Sequence, residues 1–256
     1  MEMHLQRKLE SIVGIIKDEI LLKDQGCTST VSKLITDRGI YLLKSSVKEK
    51  YREWLRKEAN LLKKLSSINI IPVPEYFGFI DQQDSSHLIM SFEEGITLTT
   101  ALQNTKNIME KKSLIRSFGE FLCQLHEKQI VEPFHHHNNW LEEQLMKAEE
   151  YLFRGESDGN AELLEKLKAN KLHPVKQTII HGDCTTDNVL VINGQVRLFI
   201  DLSGMTVGDP RYDESLAIRK FVKDEEYKQA FYQGYTRYRV SDKELQYFDE
   251  GLYEFF

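Results

Sequence analysis

The chain carries the run His181-Gly182-Asp183-Cys184-Thr185-Thr186-Asp187-Asn188 and, further on, Asp201 at the end of Phe199-Ile200-Asp201. Between them, Val189 to Ile200 is two apolar runs joined by Asn193-Gly194, the dipeptide that best tolerates the positive φ angles of a type I′ hairpin turn. A hairpin centred there starts its outgoing strand at Asn188, roughly opposite the end of the returning one. The Asn188 amide oxygen and the Asp201 carboxylate can then share a site. Two such oxygens suit Mg²⁺, which takes few protein oxygens and keeps its other positions for water and phosphate. Asp183, just upstream, would face that metal as a base. Phosphoryl transfer to a hydroxyl needs this set: a carboxylate to orient the attacking O–H, and oxygens that hold the metal on the phosphates.

The order of these parts resembles the aminoglycoside phosphotransferase and choline kinase superfamily, whose catalytic loop reads His-Gly-Asp where protein kinases have His-Arg-Asp. The resemblance implies a two-lobed, protein-kinase-like α+β fold with ATP or GTP bound between the lobes. Asp183 is then the catalytic base, and Asn188 and Asp201 are the Mg²⁺ ligands. Lys44 would hold the nucleotide phosphates, itself positioned by Glu58 on the following helix. Gly26 to Val31 would cover the phosphates, with Ser29 and Thr30 as contacts, and the connector Glu93 to Gly95 would be the hinge, where Ser91 and Glu93 meet the nucleotide base. His181 and the equivalent of Asp213, in Gly208-Asp209-Pro210-Arg211-Tyr212-Asp213, would brace the loop. Leu202 to Asp209 is too short for the activation segment of a protein kinase, which implies a constitutively competent enzyme.

These side chains need elements to carry them. Leu5, Leu9, Ile12, Val13 and Ile16 recur at helical spacing and predict an amphipathic surface helix over Met1 to Leu22. The runs Ile20-Leu22, Val31-Ile35 and Ile40-Leu43 predict a small antiparallel sheet whose last strand closes at Lys44. Lys48 to Leu65 reads as the main helix of this region, followed by strands at Tyr76-Ile80 and His87-Phe92. Beyond Gly95 helices dominate: residues 110–128, then Trp140 to Phe153, a loop at Arg154 to Asn160, a helix opened by Asp209-Pro210 and running through Phe221, and two more at the end. The expected lobes are 1–93, nucleotide-binding with a small antiparallel sheet, and 94–256, larger, mostly helical, catalytic and substrate-binding.

A chain of 256 residues buries a real core, and its formal charge of -6 disfavours nucleic acid as a partner. Its three cysteines have no Cys-x-x-Cys spacing, so neither a disulfide framework nor structural zinc is expected, and a reducing cytoplasm is the expected compartment. No apolar run reaches the length of a membrane span. His135-His136-His137 reads as a solvated loop rather than a zinc site.

The acceptor is less legible. Glu142, Glu143, Glu149 and Glu150 on one predicted helix, with Glu254 near the carboxylate of Phe256, form a rim that would attract an amine-rich hydroxyl compound. Length and the ending Tyr253-Glu254-Phe255-Phe256 resemble the aminoglycoside 3′-phosphotransferases, in which an acidic residue near the end and the terminal carboxylate contact the antibiotic. That resemblance implies Glu142, Glu143, Glu254 and Phe256 as substrate contacts and antibiotic resistance as the outcome. This chain departs from them at Tyr253, where they have an acidic pair, and at Gly204, where many carry arginine. Choline-, homoserine-, sugar- and macrolide-type acceptors stay open. So does a catalytically silent nucleotide-binding module that regulates a partner. A protein kinase would need His-Arg-Asp, Asp-Phe-Gly and Ala-Pro-Glu, which the chain lacks.

Overall fold

Alternation in the first third of the chain produces strands whose two faces pack differently. In β2 (Thr30–Thr36), Ser32, Leu34 and Thr36 are buried while the residues between them reach the surface or half-bury. The structure, a computed structural model, describes residues 3–23, 25–135 and 139–256; His136 and His137 of the histidine run lie outside the described residues. The chain divides into two units, Met1–Glu94 with Leu198–Gly204, and Gly95–Arg197 with Met205–Phe256.

The first unit contains α1 (Met3–Val13), β1 (Ile16–Leu21), β2, β3 (Ile40–Ser46), α2 (Glu49–Leu65), β4 (Tyr76–Asp81) and β5 (Ser86–Ser91). Its strands form one antiparallel sheet in the order β1-β2-β3-β5-β4. Leu9 and Val13 of α1 close an apolar cluster with Leu34, Leu43, Ile80 and Ile89. The expected helix from Met1 to Leu22 is therefore corrected: it stops at Val13 and the chain becomes a strand at Ile16. Gly14 turns the backbone at φ 86°, Ile15 N–H donates to Asp37 Oδ1 at 2.7 Å, and the Val13 carbonyl accepts from Thr36 Oγ1 at 2.8 Å. Capture of these backbone groups by the β2–β3 turn outweighs the helical spacing of Ile16.

The second unit runs through β6 (Ile96–Thr97), α3 (Leu98–Asn104), α4 (Ile108–His126), α5 (Trp140–Arg154), α6 (Ala161–Ala169), β7 (Thr178–Ile180), β8 (Val189–Ile192), β9 (Gln195–Phe199, whose last two residues belong to the first unit), β10 (Thr206–Gly208), α7 (Pro210–Ile218), α8 (Glu225–Gly234) and α9 (Asp242–Phe248). Two short helices were not expected. α3 is started by Thr97 accepting from Thr100 N–H, and α6 by Asn160 accepting from Leu163 N–H. The helix opened by Asp209-Pro210 ends at Ile218 rather than Phe221. α4 and α8 approach backbone to backbone, since a Cβ on Gly119 would lie 2.2 Å from the Phe231 carbonyl oxygen. Among the described residues no helix is long and apolar enough to cross a membrane.

Every residue of α7 is buried, its charged ones included. Arg211 is satisfied by Asp209, by Glu244 at 2.8 Å and by the His173 carbonyl. Glu214 accepts from Tyr232 O–H at 2.8 Å and Val240 N–H at 2.7 Å, but its Oε2 is buried with no partner among the described residues. Burial pushes the Glu214 carboxyl up to about 8, against the pull of those two donors. A carboxyl raised in the folded state adds stability below the ordinary carboxylate range and loses it as pH climbs through the raised value. The melting temperature should thus carry a downward component between about pH 5 and pH 8 that Glu214→Gln removes. Calorimetry at both ends of that window checks this; parallel profiles for the two proteins would exclude it.

Candidate active site

Strand alternation decides where Lys44 points. Its neighbour Leu43 packs into the cluster beneath α1, so Lys44 faces the other side of the sheet. There α2 presents a buried stripe of Leu55, Glu58, Ala59, Leu62 and Leu65 at three and four residue steps. Lys44 Nζ meets Glu58 Oε2 at 2.8 Å and Asp201 Oδ1 at 3.1 Å, and Glu58 Oε1 accepts from Leu202 N–H at 3.2 Å. Burial alone would push the Lys44 ammonium down, but the charges of Asp201 and Glu58 outweigh it and hold it above its ordinary value, fully protonated. Burial raises the Glu58 carboxyl; Lys44 acts in the opposite sense. Asp201 sits at φ 60°, a left-handed conformation that Asp tolerates better than most residues. Its side chain keeps 32 % exposure, which leaves the carboxylate reachable from solvent. A small recess lined by Thr28, Ser29, Lys44, Trp54, Glu58 and Asp201 opens over this group.

The other candidates of this unit are committed to local bonds. Ser29 Oγ pairs with Ser46 Oγ at 2.7 Å. Thr30 is the first residue of β2, opposite Ser45, rather than part of the loop. The Ser91 hydroxyl donates to Glu93 Oε1 and accepts from Glu75 N–H.

In the second unit the loop expected to be catalytic leaves β7 and turns at Gly182, φ 83°. The backbone N–H groups of His181 and Gly182 donate to the two oxygens of Asp213 at 2.6 and 2.8 Å, and His126 Nε2 lies 3.2 Å from the same carboxylate. Asp183 N–H donates to His181 Nδ1 at 3.2 Å, and Thr185 N–H closes a turn onto the Asp183 carbonyl. The Asp183 carboxylate accepts from Asn188 Nδ2 at 2.7 Å on Oδ2 and from the Tyr253 hydroxyl at 3.1 Å on Oδ1. Asn188 then leads into β8, and Asn193 and Gly194, at φ 52° and 75°, form the turn to β9. Burial, with Asp213 and Asp183 nearby, pushes the Cys184 thiol well up, so it is no nucleophile.

The acidic rim is largely neutralised. Both oxygens of Glu142 accept from Lys171 Nζ at 2.7 Å, Glu149 pairs with Lys168 at 3.1 Å, and Glu150 pairs with Arg154. Glu143 is partly buried on α5. The Glu254 carbonyl accepts from the N–H groups of Asp158 and Gly159, and the Phe256 ring packs edge-on to Tyr151 at 5.8 Å. Tyr253, which in the sequence stands out only as a departure from an acidic pair, touches Asp183. Lys220 was also not anticipated: it pairs with Asp187 at 2.7 Å and Thr99 Oγ1 at 3.0 Å beside the loop. No local pattern marks either residue, because both reach the loop from segments distant in sequence, Lys220 from the turn after α7 and Tyr253 from the 3₁₀ turn Leu252–Phe255.

Replacing Asp213 by Ala removes the acceptor of two loop N–H groups in a side chain with no exposure, and should cost about 3 kcal/mol. Amide exchange at His181 and Gly182 should accelerate in that variant beyond what its global destabilisation accounts for. Protection that falls only in step with global stability would refute the brace.

The model of the phosphotransferase enzyme family matches residues 22–245. A curated homoserine kinase from Neisseria meningitidis serogroup B is 36% identical over 92 residues, 33% of this chain, and the match spans only 30% of that relative's length. Among solved structures, an aminoglycoside-3'-phosphotransferase of type VIII superposes with a TM-score of 0.80 at 20% identity, covering 100% of both chains. A thermostable mutant of an aminoglycoside phosphotransferase, in ternary complex with ADP and hygromycin B, gives 0.65 at 17% identity over 88% of this chain and 80% of that one.

Proposed function

The chain belongs to the phosphotransferase enzyme family, and from that premise we propose that it is a small-molecule kinase moving the γ-phosphoryl group of ATP or GTP to a hydroxyl of its acceptor. The observation that supports this best is the Asp183 carboxylate, fixed by Asn188 on a loop whose backbone is held by Asp213. A carboxylate so held orients an acceptor O–H and takes its proton as the P–O bond forms. Lys44, kept charged by two carboxylates, is suited to phosphate oxygens.

The residues fit a divalent cation. Two carboxylates around one ammonium leave Glu58, Asp201 and Lys44 with a net negative charge that a hard cation relieves, and Asp201 is the exposed oxygen donor of the set. The Asn188 amide nitrogen is committed to Asp183, which leaves its amide oxygen for ligation. Asp201 and Asn188 would hold Mg²⁺, which offsets phosphate charge when bound. Ser29, Ser91 and Glu93 would meet the nucleotide by exchanging the bonds they make here, and Thr30 would meet it from the start of β2.

For the acceptor we take an aminoglycoside first, with Glu142, Glu143, Glu254 and Phe256 as contacts. Two of the solved structures that share the fold are aminoglycoside phosphotransferases by name. The expected setting is the cytoplasm, and the expected consequence is antibiotic resistance. A second reading, a homoserine-type acceptor, is favoured by the match to a curated homoserine kinase and by the pairing of Glu142 with Lys171, which weakens the attraction for a polycationic acceptor. Asp183→Asn should lower kcat by roughly 10³-fold or more while nucleotide Kd changes little. A coupled phosphotransfer screen across aminoglycosides, macrolides, homoserine, choline and sugars, with susceptibility testing of expressing cells, reads both points. Full turnover in Asp183→Asn would dismiss the assignment.

A further inference from the structure

Tyr253 lies in the 3₁₀ turn Leu252–Phe255, between two residues with no exposed surface, Leu252 and Phe255, that are anchored in the cluster with Trp140, Tyr212 and Phe248. Anchors on both sides fix its direction. Its hydroxyl donates to Asp183 Oδ1 at 3.1 Å, while Asn188 Nδ2 donates to the other oxygen at 2.7 Å. The Arg219 guanidinium stacks over the Tyr253 ring, 4.7 Å from its centre, and Arg219 in turn lies 3.0 Å from Asp249. The groups that face the Tyr253–Asp183 pair are Tyr212, Asp213 and Arg219 from α7 and its end, Cys184 and His181 from the loop, and Asp249 behind Arg219. Burial and the Asp183 charge push the Tyr253 hydroxyl well above its ordinary range, so it stays a neutral donor at any pH the protein meets.

A carboxylate oriented through one oxygen can still swing about its last torsion; held through both, it cannot. We propose that Tyr253 is a positioning residue of the phosphoryl-transfer site: its hydroxyl locks the second oxygen of Asp183 and narrows the lone pairs that an acceptor O–H can reach. The inference rests on Asp183 being the carboxylate that orients the acceptor. It assigns a role in the reaction to a residue whose type and position otherwise signal only packing.

The test compares the wild-type protein with Tyr253→Phe, which keeps the ring against Arg219 and removes only the donor. In protein labelled with ¹³C at the aspartate carboxyls, with Asp183→Asn to assign the signal, the Asp183 carboxyl carbon should shift at neutral pH in Tyr253→Phe because it loses one hydrogen-bond donor. With Mg²⁺ and ATP, kcat should fall roughly tenfold at unchanged nucleotide KM. Tyr253→Leu should show the same change of signal together with a lower melting temperature from lost packing. An Asp183 carboxyl signal identical in Tyr253→Phe and wild type overturns the proposal, and so does an unchanged kcat. Wild-type protein that turns over no nucleotide strikes the kinase reading instead, and the carboxyl signal still decides whether Tyr253 holds Asp183.

Discussion

The first N–H groups of the loop after β7 have no sheet to hold them, and here a buried carboxylate takes that place. β7 ends at Ile180, so the N–H groups of His181 and Gly182 have no ladder partner, and both turn to Asp213. Unpaired buried N–H groups would each cost about 1–3 kcal/mol, so this carboxylate fixes the loop more firmly than side-chain packing could. The helix that carries it is itself fixed by polar contacts. Asp209 caps its start with Pro210 in the first turn, Arg211 is shared between Asp209 and Glu244, and His126 of α4 reaches Asp213 from the side. Asp183 gains its orientation from this chain of contacts, with Asn188 and Tyr253 acting only at the last step.

Charge in the first unit follows a different logic. Burial pulls the value of a lysine with a side chain 10 % exposed down, yet two carboxylates keep it charged. The arrangement is expensive unless all three groups are used. Glu58 spends one oxygen on Lys44 and the other on Leu202 N–H, which ties the segment carrying Asp201 to α2. The strained left-handed backbone at Asp201 is maintained by these bonds, in line with strain gathering where geometry matters more than stability.

Several expectations were legible because the physics that produces them is local. The type I′ turn at Asn193-Gly194, the cap at Asp209-Pro210 and the Leu55 to Leu65 stripe all depend on residues a few positions apart. The helix expected through Leu22 failed because its competitor was not local: Asp37 and Thr36 capture the backbone around Gly14 from another part of the chain. The pairing of the α5 rim was not legible for the same reason, since the spacing of Glu142 says nothing of Lys171 across the unit. Buried-network partners such as His126 and Tyr253 carry no signature in their neighbours.

By itself, the amino-acid order determined the residue types that can perform phosphoryl transfer and the sheet-then-helix succession that carries them, because motif spacing, turn chemistry and hydrophobic period act over short stretches of chain. Only the tertiary structure decided which groups hold those residues in place: Asp213 beneath the loop, Tyr253 on Asp183, and two carboxylates on Lys44. Hydrogen bonds and ion pairs between buried groups are set by packing across tens of residues, and one linear sequence allows many such pairings before the core closes and leaves one.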